Sequence, residues 1–431
     1  MLREMTALFG RLEQAGVLYC VMRDAAPAIR DGGELDVLVH PMDLERAAAL
    51  LGAAGFIRLR AWGHAPHHFF VRYFQDSDCW VKFDVVTSVA YGRPAHCMVT
   101  RLGDDCLAAR RHTGVCFIPG AEDELFTLLL HCVVDTRQFR RDHVARLLQL
   151  RREAVDEGRL RAHVACCWPG QDWPQLARLI DEQDWNGLLA QRTRVAARLS
   201  EEDRLGTIAR ACRDRALRRL QRWVGIALPP APSVAVLAPD GAGKSTLVAG
   251  IQGRFFHPVQ AVYMGLYSRD TRRHRDRGLP GLGMARHLIV QWRRYLSARC
   301  HQAAGRLVLF DRYTYDALLP DARAAGAPRR LRRWVLSRAC PAPDLVVLLD
   351  APGEVLFARK GEHTPELLER QRQSYLAMRP RFMRSAVIDV RRDPATVRRH
   401  VTALVWDEYR RRSGTGAQRR AVRSGLQPSQ T

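Results

Sequence analysis

The stretch Ala238-Pro239-Asp240-Gly241-Ala242-Gly243-Lys244-Ser245-Thr246 carries the residue types that phosphate chemistry needs, in the order it needs them. Gly241 and Gly243 allow a tight turn whose backbone N–H groups point inward at an anion. Lys244 is placed to reach the β- and γ-phosphates of a nucleotide, and the Ser245 hydroxyl is a ligand for Mg²⁺. Ala238 stands where a glycine is usual, and its small side chain fits the same turn. The apolar run 234–237 precedes the loop, and a helix is expected from Leu247. Strand, small-residue loop and helix in that order form a cradle for ATP with Mg²⁺. The expected nucleotide-binding residues are Asp240, Gly241, Ala242, Gly243, Lys244, Ser245 and Thr246.

An acidic constellation lies near the N-terminus. The run Gly32-Gly33-Glu34-Leu35-Asp36-Val37-Leu38-Val39 reads as a strand. Its alternation puts Glu34 and Asp36 on one face and packs Leu35 and Val37 on the other. A later strand, 80–86, carries Asp84. Three carboxylates so arranged suit one or two Mg²⁺, which activate a hydroxyl and neutralise a nucleoside triphosphate. His64, His67 and His68 cluster nearby, but without a Cys or a further well-spaced His they are expected in a solvent-facing loop.

Positioning these groups takes three folded segments. Over 1–115, a helix at 2–14 sets Leu2, Met5, Leu8, Phe9 and Leu12 at helical spacing. Strands at 17–22, 32–39, 56–59, 67–74, 80–86 and 115–118, with a helix at 41–51, complete an α+β domain. From 116 to 228 helical periodicity takes over, with helices expected at 122–134, 142–150, 173–182, 185–198 and 201–224. Leu125, Leu128, Leu129 and Cys132 form one stripe of the first. The Pro-rich segment 228–233 is a stiff linker and the main boundary. Over 233–410, apolar runs 307–311 and 345–350 end in Asp311 and Asp350 and join strands at 261–264 and 387–390. Helices are expected at 284–304, 365–378 and 397–409. Strands without alternation, separated by helices, require a parallel sheet covered on both faces. Asp311 then lies at a carboxyl end, where such sheets present catalytic groups. The basic stretch 269–277 lacks periodicity, and 411–431 reads as a disordered basic tail.

Composition sets limits on this scheme. The 431 residues exceed one comfortable core, and an apolar fraction of 47% is that of folded material. A formal charge of +23 invites nucleic acid as a partner. Against that, all of the 68 basic residues except Lys82, Lys244 and Lys360 are Arg, scattered over the whole length. This skew fits codon bias better than a built nucleic-acid face, so nucleic acid is disfavoured. A phosphorylated small molecule, or a peripheral contact with an anionic membrane surface, suits the charge. The eleven Cys show no repeated pair spacing and read as reduced thiols, not metal knuckles. No run of about 18 apolar residues occurs, so no transmembrane segment is expected and the chain is assigned to the cytoplasm.

The segment 233–410 resembles thymidylate kinase and its relatives among the nucleoside-monophosphate kinases. Three features agree in order: the phosphate loop with Asp240 inside it, Phe310-Asp311-Arg312-Tyr313, and Pro343-Asp344-Leu345-Val346 through Asp350-Ala351-Pro352. The resemblance implies that Asp311 partners hydrated Mg²⁺ and that Arg312 contacts a phosphate on the acceptor. It also implies a short lid, Arg359-Lys360-Gly361-Glu362-His363, so that Lys244, Arg359 and Lys360 surround the transferred phosphoryl group. The segment 1–115 resembles the nucleotidyltransferase superfamily, which implies Glu34 and Asp36 as paired metal ligands, Asp84 as the third, and a helical bundle following the sheet. Glu34 stands where Asp is usual, and Gly32-Gly33 abuts the acids.

The expected activity is ATP-dependent phosphoryl transfer to a small acceptor that already carries phosphate. Two alternatives remain open: nucleotidyl transfer at the N-terminal acids, and an ATP-binding regulatory protein with a nucleic-acid or membrane contact surface. The acceptor and the oligomeric state stay open as well.

Overall fold

Short apolar runs bounded by turns build two five-stranded sheets, beside two short strand pairs. The computed structural model describes all residues except 24–25, 60–66, 93–95, 228–230, 266–281, 320–326 and 414–431. They divide into two compact units, Met1–Gln221 and Arg222–Thr431.

The first unit holds β1 (Tyr19–Val21), β2 (Gly33–Val39), β3 (Ile57–Arg58), β4 (His67–Phe74) and β5 (Cys79–Val86). Their order is β1-β2-β5-β4-β3, with β2 and β5 parallel and the other pairs antiparallel. Alternation gives the sheet two apolar faces. On one, Val37 and Phe83 pack with Met5, Leu8 and Phe9 of α1 (Leu2–Gln14) and with Leu51 of α2 (Leu44–Ala53). On the other, Cys20 and Leu38 join Leu125, Leu129 and Val133.

Those last residues belong to α3 (Ala121–Leu130) and the π-turn His131–Thr136 that continues it. The single apolar stripe expected here is too narrow. Every residue from Asp123 to Leu130 is buried, because α3 lies between the sheet and the later helices. Two acids are therefore buried and must be paired. Asp123 takes Arg159 at 2.8 and 3.0 Å and His163 at 2.8 Å. Glu124 takes Arg146 at 2.7 and 2.6 Å. The expected helix 185–198 is broken at Gln191 into Trp185–Ala190 and Arg192–Glu202. Glu157–Cys167 is a further helix, started by the Asp156 side chain on the Arg159 amide, which periodicity did not announce.

The second unit holds β6 (Ser233–Leu237), β7 (Val259–Tyr263), β8 (Leu307–Asp311), β9 (Leu345–Asp350) and β10 (Ser385–Asp389). All pair in parallel, in the order β7-β8-β6-β9-β10. The helices α4 (Lys244–Gln252), α5 (Leu282–Ala303), α6 (Ala327–Ser337), α7 (Gly353–Lys360), α8 (Pro365–Met378) and α9 (Pro394–Ser413) connect the strands and flank both faces. The run Ser233–Leu237 is buried throughout, which is why its sequence does not alternate. α9 extends through Ser413, so the first residues assigned to a tail are helical; 414–431 lie outside the described residues, as do 269–277, linker residues 228–230 and His64. Among the described residues no helix is long and apolar enough to cross a membrane.

His257 illustrates what this core costs. It is 5% exposed, with its ring stacked on Tyr409 at 4.8 Å between centroids. Burial pushes its pKa down to about 4 from the ordinary 6.5. The unfolded chain therefore takes up the proton first as acid is added. Stability is intact above pH 6.5 and declines as the pH falls towards 4, by at most about 3 kcal/mol. Urea unfolding of the second unit at neutral pH and near pH 5 should show this loss in the wild type and a smaller one in His257→Phe. Equal losses would assign the acid sensitivity to other groups.

Candidate functional site

In the second unit the site grows from the carboxyl ends of β6 and β8. Between Leu237 and Lys244 the chain turns back on itself through two glycines. Gly241 has φ +87°, and a Cβ there would stand 2.5 Å from the Leu356 carbonyl oxygen. Gly243, at φ +81°, is the N-cap of α4. No other residue type fits both positions without strain. Ala242 is buried, while Ser245 and Thr246 are exposed in the first turn of α4, whose free amides and dipole favour an anion.

The Lys244 side chain folds back under the loop. Its ammonium donates to the carbonyls of Ala238 at 2.9 Å and Pro239 at 2.7 Å, and lies 3.7 Å from Asp240. Burial, reinforced by the Arg312 charge, pushes its pKa down to about 8. Beside it, the Ser245 hydroxyl donates to Asp311 Oδ2 at 3.2 Å. The other oxygen, Asp311 Oδ1, is buried and has no hydrogen-bond partner among the described residues. A hydroxyl and a carboxylate with one oxygen left over are the donors a hydrated divalent cation takes.

Arg312 stands next, in the left-handed region at φ +67°. Its amide donates to the Val236 carbonyl at 3.2 Å, and its guanidinium binds Asp240 and approaches Asp316 at 3.5 Å. Asp316 is buried, which raises its pKa against the pull of Arg312, and it accepts the Tyr375 hydroxyl at 2.8 Å. Burial also pushes Asp240 upward, but Arg312, Lys244 and Lys360 together hold its carboxyl below the usual range. His363 Nε2 lies 3.5 Å from the same carboxylate. The result is an alternating row of charges, Lys244, Asp240, Arg312, Asp316.

The expected lid is the end of α7 and the turn after it. Arg359 and Lys360 are the last two residues of that helix, and Gly361 caps it in the left-handed region. Arg359 donates to the Val390 carbonyl at 2.8 Å, and Lys360 pairs with Glu362 at 3.0 Å. Asp350, the other strand-end acid, is held by Arg372 at 2.6 and 3.1 Å, with Glu369 on the same guanidinium at 2.8 Å.

In the first unit, parallel pairing sets Asp36 opposite Asp84 and Glu34 opposite Lys82. One ligand atom from each of Glu34, Asp36 and Asp84 falls within 4.8 Å of the others. Each acid also has a side-chain partner: Lys82 on Glu34 at 2.6 Å, Arg23 on Asp36 at 3.3 Å, and the His67 ring on Asp84 at 2.9 Å. Burial, with Asp84 and Glu34 nearby, still raises the Asp36 pKa. The expectation of a solvent-facing histidine loop is corrected here. His67 and His68 lie on β4, because strand pairing carries His67 next to Asp84. His68 pairs with Arg58 at 3.0 Å. The π-turn brings His131 and Asp135 to the same region, 3.3 Å apart, with Arg23 3.4 Å from His131.

Sequence reasoning missed Arg23, His67, His131, Asp135, Asp316 and Tyr375. Asp316 follows Arg312 by four residues, a spacing that would have flagged it; Arg23 and Tyr375 give no local signal. No protein-family model matches the chain, and no curated protein matches it.

Gly241→Ala should destabilise the second unit by about 2 kcal/mol, since the methyl meets backbone and φ is positive. Calorimetry should show a lowered Tm. An unshifted Tm would mean that the loop yields without cost.

Proposed function

We propose that the second unit transfers the γ-phosphoryl group of ATP to a small acceptor that already bears a phosphate. The observation that carries this reading is the buried Asp311 Oδ1, without a hydrogen-bond partner among the described residues, beside the Ser245 hydroxyl at the mouth of a glycine loop that ends in a buried lysine. Bound Mg²⁺-ATP would supply the phosphoryl group and the charge neutralisation its transfer needs. Ser245 and Asp311 are the residues that would hold the metal ion. The loop from Asp240 to Thr246 would hold the phosphates.

The chain's own groups divide the remaining work. Lys244 is kept charged by two carbonyls and Asp240, and it turns from them to the nucleotide's phosphate oxygens. Arg312 exchanges Asp240 for the acceptor phosphate while Asp316 and Tyr375 hold its other side. Asp240, once released, accepts a hydrogen bond from the acceptor. Arg359 and Lys360 add charge from the end of α7, where Lys360 already acts on Asp240 electrostatically. Transfer breaks the bond between the γ-phosphorus and the bridging oxygen and forms one to the acceptor oxygen, releasing ADP. We place the activity in the cytoplasm, where ATP is supplied and the eleven cysteines, all free, stay reduced.

Labelled ATP should phosphorylate at least one member of a panel of nucleoside monophosphates, sugars and sugar phosphates. Lys244→Ala should lower transfer by about a hundredfold or more and weaken ATP binding. No labelled acceptor, together with unchanged ATP affinity in Lys244→Ala, would overturn the proposal.

A second activity is favoured by a separate observation, the gathering of Glu34, Asp36 and Asp84 within 4.8 Å. Those acids would hold Mg²⁺ for nucleotidyl transfer in the first unit. Pyrophosphate release should then be lost in Asp36→Ala and kept in Lys244→Ala. The reverse pattern sinks this reading and leaves the kinase reading standing.

A further inference from the structure

Two helices of the second unit turn apolar side chains to water. Along α5, Ile289, Trp292 and Leu296 are 60%, 43% and 54% exposed. Their spacing, i, i+3 and i+7, puts them on one stripe of the helix. On α6, Leu331 and Trp334 are 62% and 50% exposed, three residues apart on one side. Leu288 of α5 packs against a buried cluster that includes Leu336 of α6, so both helices border one small apolar core.

The charge on these helices is one-signed. Neither α5 nor α6 contains an Asp or a Glu, and both are rich in Arg. Arg293, Arg299 and Arg332 are exposed among the apolar side chains, and the Arg338 guanidinium lies 4.4 Å from the centre of the Trp334 ring. Acid-free helices that expose tryptophan, aliphatic side chains and arginine match the boundary between lipid headgroups and acyl chains. Tryptophan sits at headgroup level there, and arginine reaches the lipid phosphates while its methylenes cover apolar surface.

We infer that this face of α5 and α6 docks on an anionic lipid bilayer. Charge complementarity selects that occupant. A second copy of the chain would oppose arginine to arginine, with no acid on either helix to relieve the repulsion. A nucleic acid would use the arginines but leave Ile289, Leu296 and Leu331 without a partner. The inference is independent of the kinase reading, because it uses none of the residues at the phosphate loop.

The test is vesicle flotation of the full chain, with phosphatidylcholine alone and with phosphatidylcholine mixed with phosphatidylglycerol. The expected result is binding to the mixed vesicles, little binding to the neutral ones, and a blue shift of tryptophan emission on binding. The quadruple variant I289S/W292S/L331S/W334S should bind about tenfold or more weakly. All four side chains are exposed, so the circular dichroism and Tm should be those of the wild type. A control variant with serine at the exposed Met42, Val155 and Leu205 should bind like the wild type. Four outcomes would overturn the inference: equal binding to neutral vesicles; undiminished binding of the quadruple variant to mixed vesicles; a wild-type dimer that this variant turns into a monomer, without vesicle binding; and tighter binding to duplex DNA than to mixed vesicles.

Discussion

An ammonium taken out of water has to be met by something, and around Lys244 that requirement arranges the whole end of the second sheet. The loop closes so that the Ala238 and Pro239 carbonyls can receive the charge, at 2.9 and 2.7 Å. Two glycines allow the loop to close that tightly. Asp240 supplies the negative charge that the carbonyls lack, and it must then be shared with Arg312. Arg312 in turn reaches Asp316, which Tyr375 of α8 holds from the other side. Each charge is buried enough to need the next, so the row behaves as a unit. Residue 312 accepts a left-handed backbone because the guanidinium has two carboxylates to meet.

How much of this could be read from the residues alone follows from how local each cause is. The parallel strands were visible because a strand buried on both faces leaves an unbroken apolar run, as in Leu307–Asp311 and Leu345–Asp350. The tight loop was visible because its positive-φ positions, Gly241 and Gly243, call for glycine. α8 was visible because Thr364 and Pro365 mark its start: the Thr364 hydroxyl accepts the Leu367 amide at 3.3 Å. What stayed hidden depends on pairing across the fold. Neither the buried Asp123 nor the break at Gln191 has a local signature, because Asp123 is explained by Arg159 and His163, residues on another helix. The partner of His67 stayed hidden for the same reason: Asp84 is 17 positions away and arrives by strand pairing.

The two acidic sites differ in what they leave open. In the second unit, one oxygen of Asp311 has no hydrogen-bond partner among the described residues. In the first, each of the three acids already has a partner from the chain itself, Lys82, Arg23 or His67. A metal ion entering the first site has to compete with these partners, whereas Asp311 needs to give up only the Ser245 hydroxyl. Affinity for divalent ions should therefore differ between the units even though both sites use strand carboxylates. The kinase reading rests on the second site and the nucleotidyl-transfer reading on the first.

The parallel pairing of β2 with β5 has a consequence for folding. Successive side chains in a strand point to opposite faces. A slip of one residue between these strands would turn Glu34 and Asp36 into the core and push Leu35 and Val37 out to the charged side. Two acids buried without partners would be far costlier than any gain from the new pairing. The acidic cluster thus works as a proofreading mark for the sheet: a misregistered strand is rejected by its own charges before any ligand is present.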